Sequence, residues 1–323
     1  MENNINKNSF TFVDLFSGIG GFRIPLEQLG GICIASCEIE KNARKIYYSN
    51  FGEYPDKDIR EKNTENNIPK NIDILCAGFP CQPFSIVGKR KGLKDSRSDL
   101  LTDLFRIIKN QQPKSFILEN VPGLITHNNG NTINYLLEYL QKYCGYYIID
   151  PMVLNSKNFG VPQNRKRVFI VGFKNKPIKF TSPKKQPLNI VIKDILESKP
   201  IDSHFYLSQK YIDFLKFHKE KQKLIGNGFG YTILSLNGIA NTLTKSPSCL
   251  DRNLIRENDS IRQLTPRECA RLQGFPDSFK INVPKTVAYK LLGNSVCVPV
   301  IKFLAIEILK CLNYGKNNKY KTS

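Results

Sequence analysis

Short apolar runs alternate with stretches of helical spacing along the first half of the chain. Residues 10–15 form an apolar run that ends in a glycine turn, Gly18-Ile19-Gly20-Gly21, after which Phe22, Leu26 and Leu29 recur at helical intervals. A second strand is expected over 32–37 and a helix over 41–50. A third, short strand is expected to end at Asp58, and a fourth to cover 72–77. Leu100, Leu101, Leu104, Phe105 and Ile108 give residues 97–109 helical periodicity. Strands over 115–118, 146–154 and 168–173, with a helix over 134–143, complete the series. Alternation of this kind predicts an α/β fold with a doubly wound, mostly parallel sheet. Ligands of such sheets bind beyond the carboxyl ends of the strands. Gly18, Glu38, Asp58, Cys81 and Glu119 all follow expected strand ends, so they should share one edge of the sheet.

The texture changes after Phe173. Residues 174–186 are rich in lysine and proline and read as a linker, and 187–264 show weak periodicity and many turns. Order returns at Thr265, where Thr265 and Glu268 have the spacing of a capping box, Pro266 suits the first helical position and Gly274 ends the helix. An apolar helix over 299–312 closes the chain. The expected organisation is a catalytic and ligand-binding domain over 1–183, a small irregular domain over 184–283, and a segment over 284–323 that returns to the first.

Composition narrows the class. The chain has 323 residues, of which 41% are hydrophobic, enough for a sizeable core. No apolar run is read as long enough to span a bilayer, and the N-terminus lacks a signal-peptide core, which predicts a soluble, cytoplasmic protein without membrane contact. Nine scattered cysteines, no Cys-x-x-Cys pair and only three histidines argue against a zinc site or a disulfide framework, so no metal is expected. The formal charge is +20. Residues 151–193 contain no acidic side chain but carry ten basic ones, and Lys89, Arg90, Lys91, Lys94 and Arg97 form a second basic run. One-signed patches of this kind predict a polyanionic partner, above all nucleic acid.

Two stretches carry candidate chemistry. In Gly78-Phe79-Pro80-Cys81-Gln82-Pro83-Phe84-Ser85 a cysteine is held between prolines at a strand end. Prolines fix φ, so the thiol is rigidly placed, although most free cysteines are buried and inert. In the glycine turn, a dinucleotide fingerprint would need a glycine where Arg23 stands, which favours S-adenosylmethionine over NAD. Glu38, twenty residues beyond Gly18, can accept hydrogen bonds from ribose hydroxyls.

Taken together, residues 14–21, 78–85, 119–121, 163–167, 262–276 and 293–296 resemble, in order and spacing, the motifs of the C5-cytosine DNA methyltransferases, especially the bacterial restriction–modification enzymes. The resemblance covers Phe12 to about Lys302. It implies S-adenosylmethionine as cofactor, in a pocket formed by Phe16, Gly18, Ile19, Gly20, Glu38, Ile39, Asp58, Ile59, Gly78, Pro80, Leu100, Asn294 and Ser295. It implies Cys81 as the nucleophile, with Glu119 and Arg167 holding the target cytosine and Arg165 in support. Lys89, Arg90, Lys91 and Arg97 are then DNA contacts, and the variable region before Thr265 is the target-recognition domain. The implied partner is double-stranded DNA, with a cognate restriction endonuclease acting separately and the enzyme itself a monomer. Three other readings are a tRNA methyltransferase with the same motifs, a non-catalytic DNA-binding relative, and an NAD oxidoreductase. The long variable region, the intact Cys81, Glu119 and Arg167, and Arg23 argue against them in turn.

Overall fold

A computed structural model describes residues 9–80, 99–198, 200–224, 226, 230–245 and 248–314. Cys81 and the basic residues Lys89, Arg90, Lys91 and Arg97 lie outside the described residues. The chain divides into two compact units. The first comprises Met1–Leu154, Lys166–Lys184 and Val300–Ser323, and the second Asn155–Arg165 and Lys185–Pro299.

The first unit is the expected α/β layer structure. In chain order it contains β1 (Phe10–Leu15), α1 (Arg23–Gln28), β2 (Gly31–Cys37), α2 (Lys41–Phe51), α3 (Lys62–Asn66), β3 (Ile74–Gly78), α4 (Asp99–Gln111), β4 (Ser115–Asn120), α5 (Gly123–Thr126), α6 (Asn131–Lys142), β5 (Tyr147–Ile148) and β6 (Met152–Asn155). A short strand of the second unit, β7 (Gln163–Asn164), precedes β8 (Lys166–Phe173), which returns to the sheet. The sheet order is β2-β1-β3-β4-β8-β5, with β6 also pairing with β8. Strands β2, β1, β3 and β4 are parallel, and β8 runs antiparallel to β4 and β5. The central strands are buried on both faces, as parallel strands covered by helices must be. Phe10, Phe12, Val13, Leu15, Ile74, Leu75, Phe116, Ile117 and Leu118 are all fully buried.

Two expected strands differ. The strand expected to end at Asp58 is reduced to a single bridge between Cys37 and Asp56, because the polar sequence around it has no apolar face to bury. The run expected over 146–154 is divided into β5 and β6, with Asp150 and Pro151 between them. Proline cannot donate to a ladder, which accounts for the break.

The second unit continues with α7 (Ile192–Ile195), α8 (Gln209–Leu224), β9 (Ala240–Asn241), α9 (Ser248–Asp251), the hairpin β10 (Leu254–Glu257) and β11 (Ser260–Gln263), α10 (Pro266–Leu272) and α11 (Lys285–Asn294). The capping box of α10 is present. Thr265 Oγ1 accepts from the Glu268 N–H at 3.1 Å, and the Thr265 N–H donates to Glu268 Oε2 at 2.8 Å. The same carboxylate takes two guanidinium hydrogen bonds from Arg262, at 2.9 and 3.0 Å, with both side chains almost fully buried. Helix α12 (Val298–Cys311) begins in the second unit and runs into the first. Contrary to the sequence expectation, the stretch Lys285–Cys311 is long and apolar enough by composition to cross a membrane. Its most apolar window is 67% buried inside the protein, and the backbone leaves helical geometry at Ser295, as suits two core helices.

Candidate active site

Parallel register sets the site of the first unit. Leu15 pairs with Cys37 and with Ala77, and Gly78 pairs with Glu119, so the carboxyl ends of β1, β2, β3 and β4 lie along one edge. Gly18, Glu38, Gly78 and Glu119 follow or occupy these ends, as the alternation of elements implies.

The turn after β1 is held by its neighbours. The Ser17 N–H donates to Cys37 O at 2.9 Å, and the Gly18 N–H donates to Glu38 Oε2 at 2.9 Å. Glu38 Oε1 accepts from the Glu40 N–H at 2.7 Å. Burial raises the Glu38 carboxyl above its ordinary range, while the Glu40 and Gly18 amides pull it back. Gly18 has φ +55°, and among the described residues a Cβ there would meet only Phe16 O, at 4.0 Å. Phe16, a bulky residue, also has a positive φ, 54°. Positive φ in such a residue is a true outlier, and strain of this kind concentrates at ligand-binding turns. Beneath the turn, Asp14 is fully buried, and neither carboxylate oxygen has a hydrogen-bond partner among the described residues. Burial holds its pKa well above the carboxylate range.

The remaining sequence-derived cofactor positions of this unit differ in what they offer. Ile39 is 66% exposed, whereas Ile19 and Ile59 are buried. Asp58 is engaged by Arg60 through contacts of 2.6–3.0 Å, which lower its pKa. Leu100 is half-buried against the core, and Pro80 is exposed. At Gly78 a Cβ would lie 3.6 Å from Phe22 Cε2 and 3.7 Å from Glu119 Oε2, ordinary contacts. Packing therefore does not require glycine at Gly78, and its bare backbone leaves room for a close-lying ligand. A left-handed glycine turn, a half-buried carboxylate at the end of the next strand and an exposed apolar Ile39 fit an adenosine-bearing cofactor.

The other half of the edge carries an ion pair. Glu119 Oε1 and Arg167 Nε are 3.1 Å apart, and the side chains are 11% and 14% exposed. Antiparallel pairing of β4 with β8, Glu119 opposite Phe169 and Asn120 opposite Val168, brings the two residues together. Burial lowers the Arg167 pKa, and the Glu119 carboxylate opposes that shift. Sequence reasoning gave no role to Asn120. Its side chain donates to Phe79 O at 3.0 Å and accepts from the Val121 N–H at 2.8 Å, fixing the backbone two residues before Cys81. The only sequence signal for this was its place in the Glu119-Asn120-Val121 motif. Burial pushes the Cys33 and Cys37 thiols up to about 12 and Cys144 up to about 11, so all three stay protonated and are poor nucleophiles at neutral pH.

Arg165, Asn294 and Ser295 belong to the second unit. Arg165 is 1% exposed, and its guanidinium donates to the main-chain oxygens of Leu243, Gly293 and Ser295 at 2.5, 3.0 and 2.6 Å. Asn294, between two of those acceptors, is exposed.

Comparison with known proteins places the chain in a family. Residues 10–310 match the family model of the C-5 cytosine-specific DNA methylases. The chain is 46% identical to the Type II methyltransferase M.HpaII of Haemophilus parainfluenzae, over 96% of this chain and 92% of that protein. It is 38% identical to the Type II methyltransferase M.HhaI of Haemophilus parahaemolyticus, over 94% and 95% of the two chains. The Dnmt2 methyltransferase of S. pombe has the same fold, with a TM-score of 0.76 at 23% identity, covering 94% of this chain and 99% of that one. The chain belongs to the C-5 cytosine-specific DNA methylase family.

Proposed function

We propose that this protein is a DNA (cytosine-5-)-methyltransferase that modifies one cytosine within a specific duplex sequence through a covalent bond from Cys81 to C6. The observation that carries the reading is the Glu119–Arg167 pair at the edge where Asn120 fixes the backbone leading to Cys81. S-adenosylmethionine, when bound, supplies a methyl group on a positively charged sulfur. Gly18, Glu38, Gly78 and their neighbours would hold it, completed by Asn294 and Ser295 as the family resemblance implies.

The chain's own residues then have distinct tasks. C5 of cytosine is a poor nucleophile until C6 accepts an electron pair. The Cys81 thiolate donates that pair, forming the S–C6 bond and pushing electron density through the C5–C6 bond onto C5 and the ring. The Glu119 carboxyl faces the N3 and N4 edge and the Arg167 guanidinium faces O2, compensating the developing charge. When the C5 proton leaves, its electron pair reforms the double bond and expels the Cys81 sulfur. The target carbon is inaccessible in a stacked duplex, so the base must be extruded into the site. Lys89, Arg90, Lys91 and Arg97 are assigned to phosphates, and the region 184–283 to base edges. A bacterial cytoplasmic role beside a separate restriction endonuclease, with the enzyme acting as a monomer, follows from the same reading.

The test is a duplex with 5-fluorocytosine at the target position, mapped first by bisulfite sequencing of DNA from expressing cells. Fluorine cannot leave as a cation, so elimination stalls and a covalent complex with wild-type protein should accumulate, and none with Cys81→Ala. Methyl incorporation into tRNA alone, or no trapping at a mapped site, would overturn the assignment.

A further inference from the structure

We infer that Arg165 is a positioning residue: with Gln163 and Gln273 it forms a buried polar hub that fixes the corner presenting Asn294 and ties that corner to the backbone at Leu243–Lys245. Four segments of the second unit meet there, around residues 163–165, 243, 272–273 and 292–298. Gln163, Arg165 and Gln273 are at most 1% exposed. Gln163 Nε2 donates to Leu272 O at 2.9 Å, and its Oε1 accepts from the Leu243 N–H at 2.9 Å. Gln273 Nε2 donates to Leu292 O at 2.8 Å, and Gln273 O accepts from the Val298 N–H at 2.9 Å. Arg165 supplies the strongest links, because a guanidinium hydrogen bond is charge-assisted. Two of its acceptors, Gly293 O and Ser295 O, flank Asn294, and the third is Leu243 O.

A second feature of the same corner is independent of the guanidinium. A Cβ on Gly293 would lie 2.2 Å from Thr244 O and 2.9 Å from Lys245 N. Backbone therefore lies directly on backbone, and only glycine permits that approach. Short pairing of β7 with β9, Gln163 opposite Ala240 and Asn164 opposite Asn241, closes the third side. Asn294 projects from a corner whose flanking carbonyls are both held, while Thr244 and Lys245 beside it are exposed. With its guanidinium spent on three carbonyls, Arg165 acts through Asn294 and not by contact with the target base.

This inference rests on the proposed cofactor role of Asn294. The experiment measures S-adenosylmethionine affinity by calorimetry, without DNA, for wild type, Arg165→Lys, Asn294→Ala and the double variant, together with single-turnover methylation at saturating cofactor. Lysine keeps the charge but cannot reach three carbonyls. Arg165→Lys should weaken cofactor binding about tenfold, the effect of losing one charge-assisted hydrogen bond, and leave the saturated single-turnover rate within about threefold of wild type. The double variant should bind no more weakly than the weaker single variant, because both changes remove one contribution. Gly293→Ala, which disturbs the corner with Arg165 intact, should reproduce the loss and stands in if Arg165→Lys does not fold. A wild-type affinity in both corner variants, multiplying losses in the double variant, or a saturated rate reduced a hundredfold would overturn the positioning role. Failure of wild-type protein to bind the cofactor would instead remove the proposed function beneath it.

Discussion

Replacing Arg167 by alanine separates what the Glu119–Arg167 pair does for the fold from what it does for the reaction. The two charges are 3.1 Å apart with side chains 14% and 11% exposed, so the pair is only slightly screened by solvent. Opposite charges at this range attract by about 5 kcal/mol at the effective dielectric of a protein, most of it offset by desolvation. Removing one partner of a buried pair costs about 3–5 kcal/mol, because the survivor stays buried without its countercharge. Some solvent reaches Glu119, so the lower end, about 3 kcal/mol, is expected in urea unfolding. The reaction should suffer separately. Loss of one donor aimed at developing charge costs about 10²–10³ in rate. The assay is single-turnover methylation at a temperature where both proteins are fully folded by circular dichroism, with Arg167→Lys in parallel. Lysine restores the charge but not the fork, so it should recover stability more than rate. If folded Arg167→Ala methylates within about tenfold of wild type, the guanidinium does not stabilise charge on the ring and its role is structural.

Two further outcomes follow from buried polar contacts. Glu268→Gln should destabilise the protein by up to about 3 kcal/mol in urea unfolding, since Arg262, buried, would keep only the half-exposed Glu257 as counterion; a change below about 1 kcal/mol would show that the buried pair is dispensable. Asp73 is held below its ordinary pKa despite burial, which opposes the shift, by Lys114, the Thr11 N–H and Tyr314. Its folded pKa is depressed, so its contribution is complete above the unfolded value of about 4 and disappears as pH falls through the folded value. Asp73→Asn should therefore be less stable than wild type at pH 6, with the gap closing below about pH 4; a gap independent of pH would refute the linkage.

Much of the first unit was legible because it depends on local pattern. Buried runs such as 10–15 and 115–118 could only be central strands, and the Thr265, Pro266 and Glu268 spacing announced its own helix start. What escaped was set by distant partners. Nothing near Lys166–Phe173 states that this strand runs antiparallel to β4, since its orientation follows from pairings such as Ile117 with Val171. The strand at Asp58 failed because a polar run can supply one bridge but not a buried ladder. The glycine turn and Glu38 could be found because their spacing is fixed by strand geometry. The hub could not, because Arg165 meets Gly293 across 128 positions and glutamines have no sequence pattern that distinguishes a buried role from an exposed one.

The division of the chain into interleaved units has a consequence for synthesis. The first unit is not complete when its last sheet strand, β8, has been made, because it also includes Val300–Ser323. Tyr314 bonds to Asp73 at 2.8 Å across 241 positions, and Thr181 bonds to Glu307 across 126. A chain emerging from the ribosome must therefore carry a nearly finished sheet, without its closing helix, through the whole synthesis of Lys185–Pro299. Throughout that interval the apolar faces of Leu304, Ile308 and Leu309 have not yet been supplied. The first unit thus closes only after the second has been made, and a ribosome that stops before Val300 releases a sheet without its last helix.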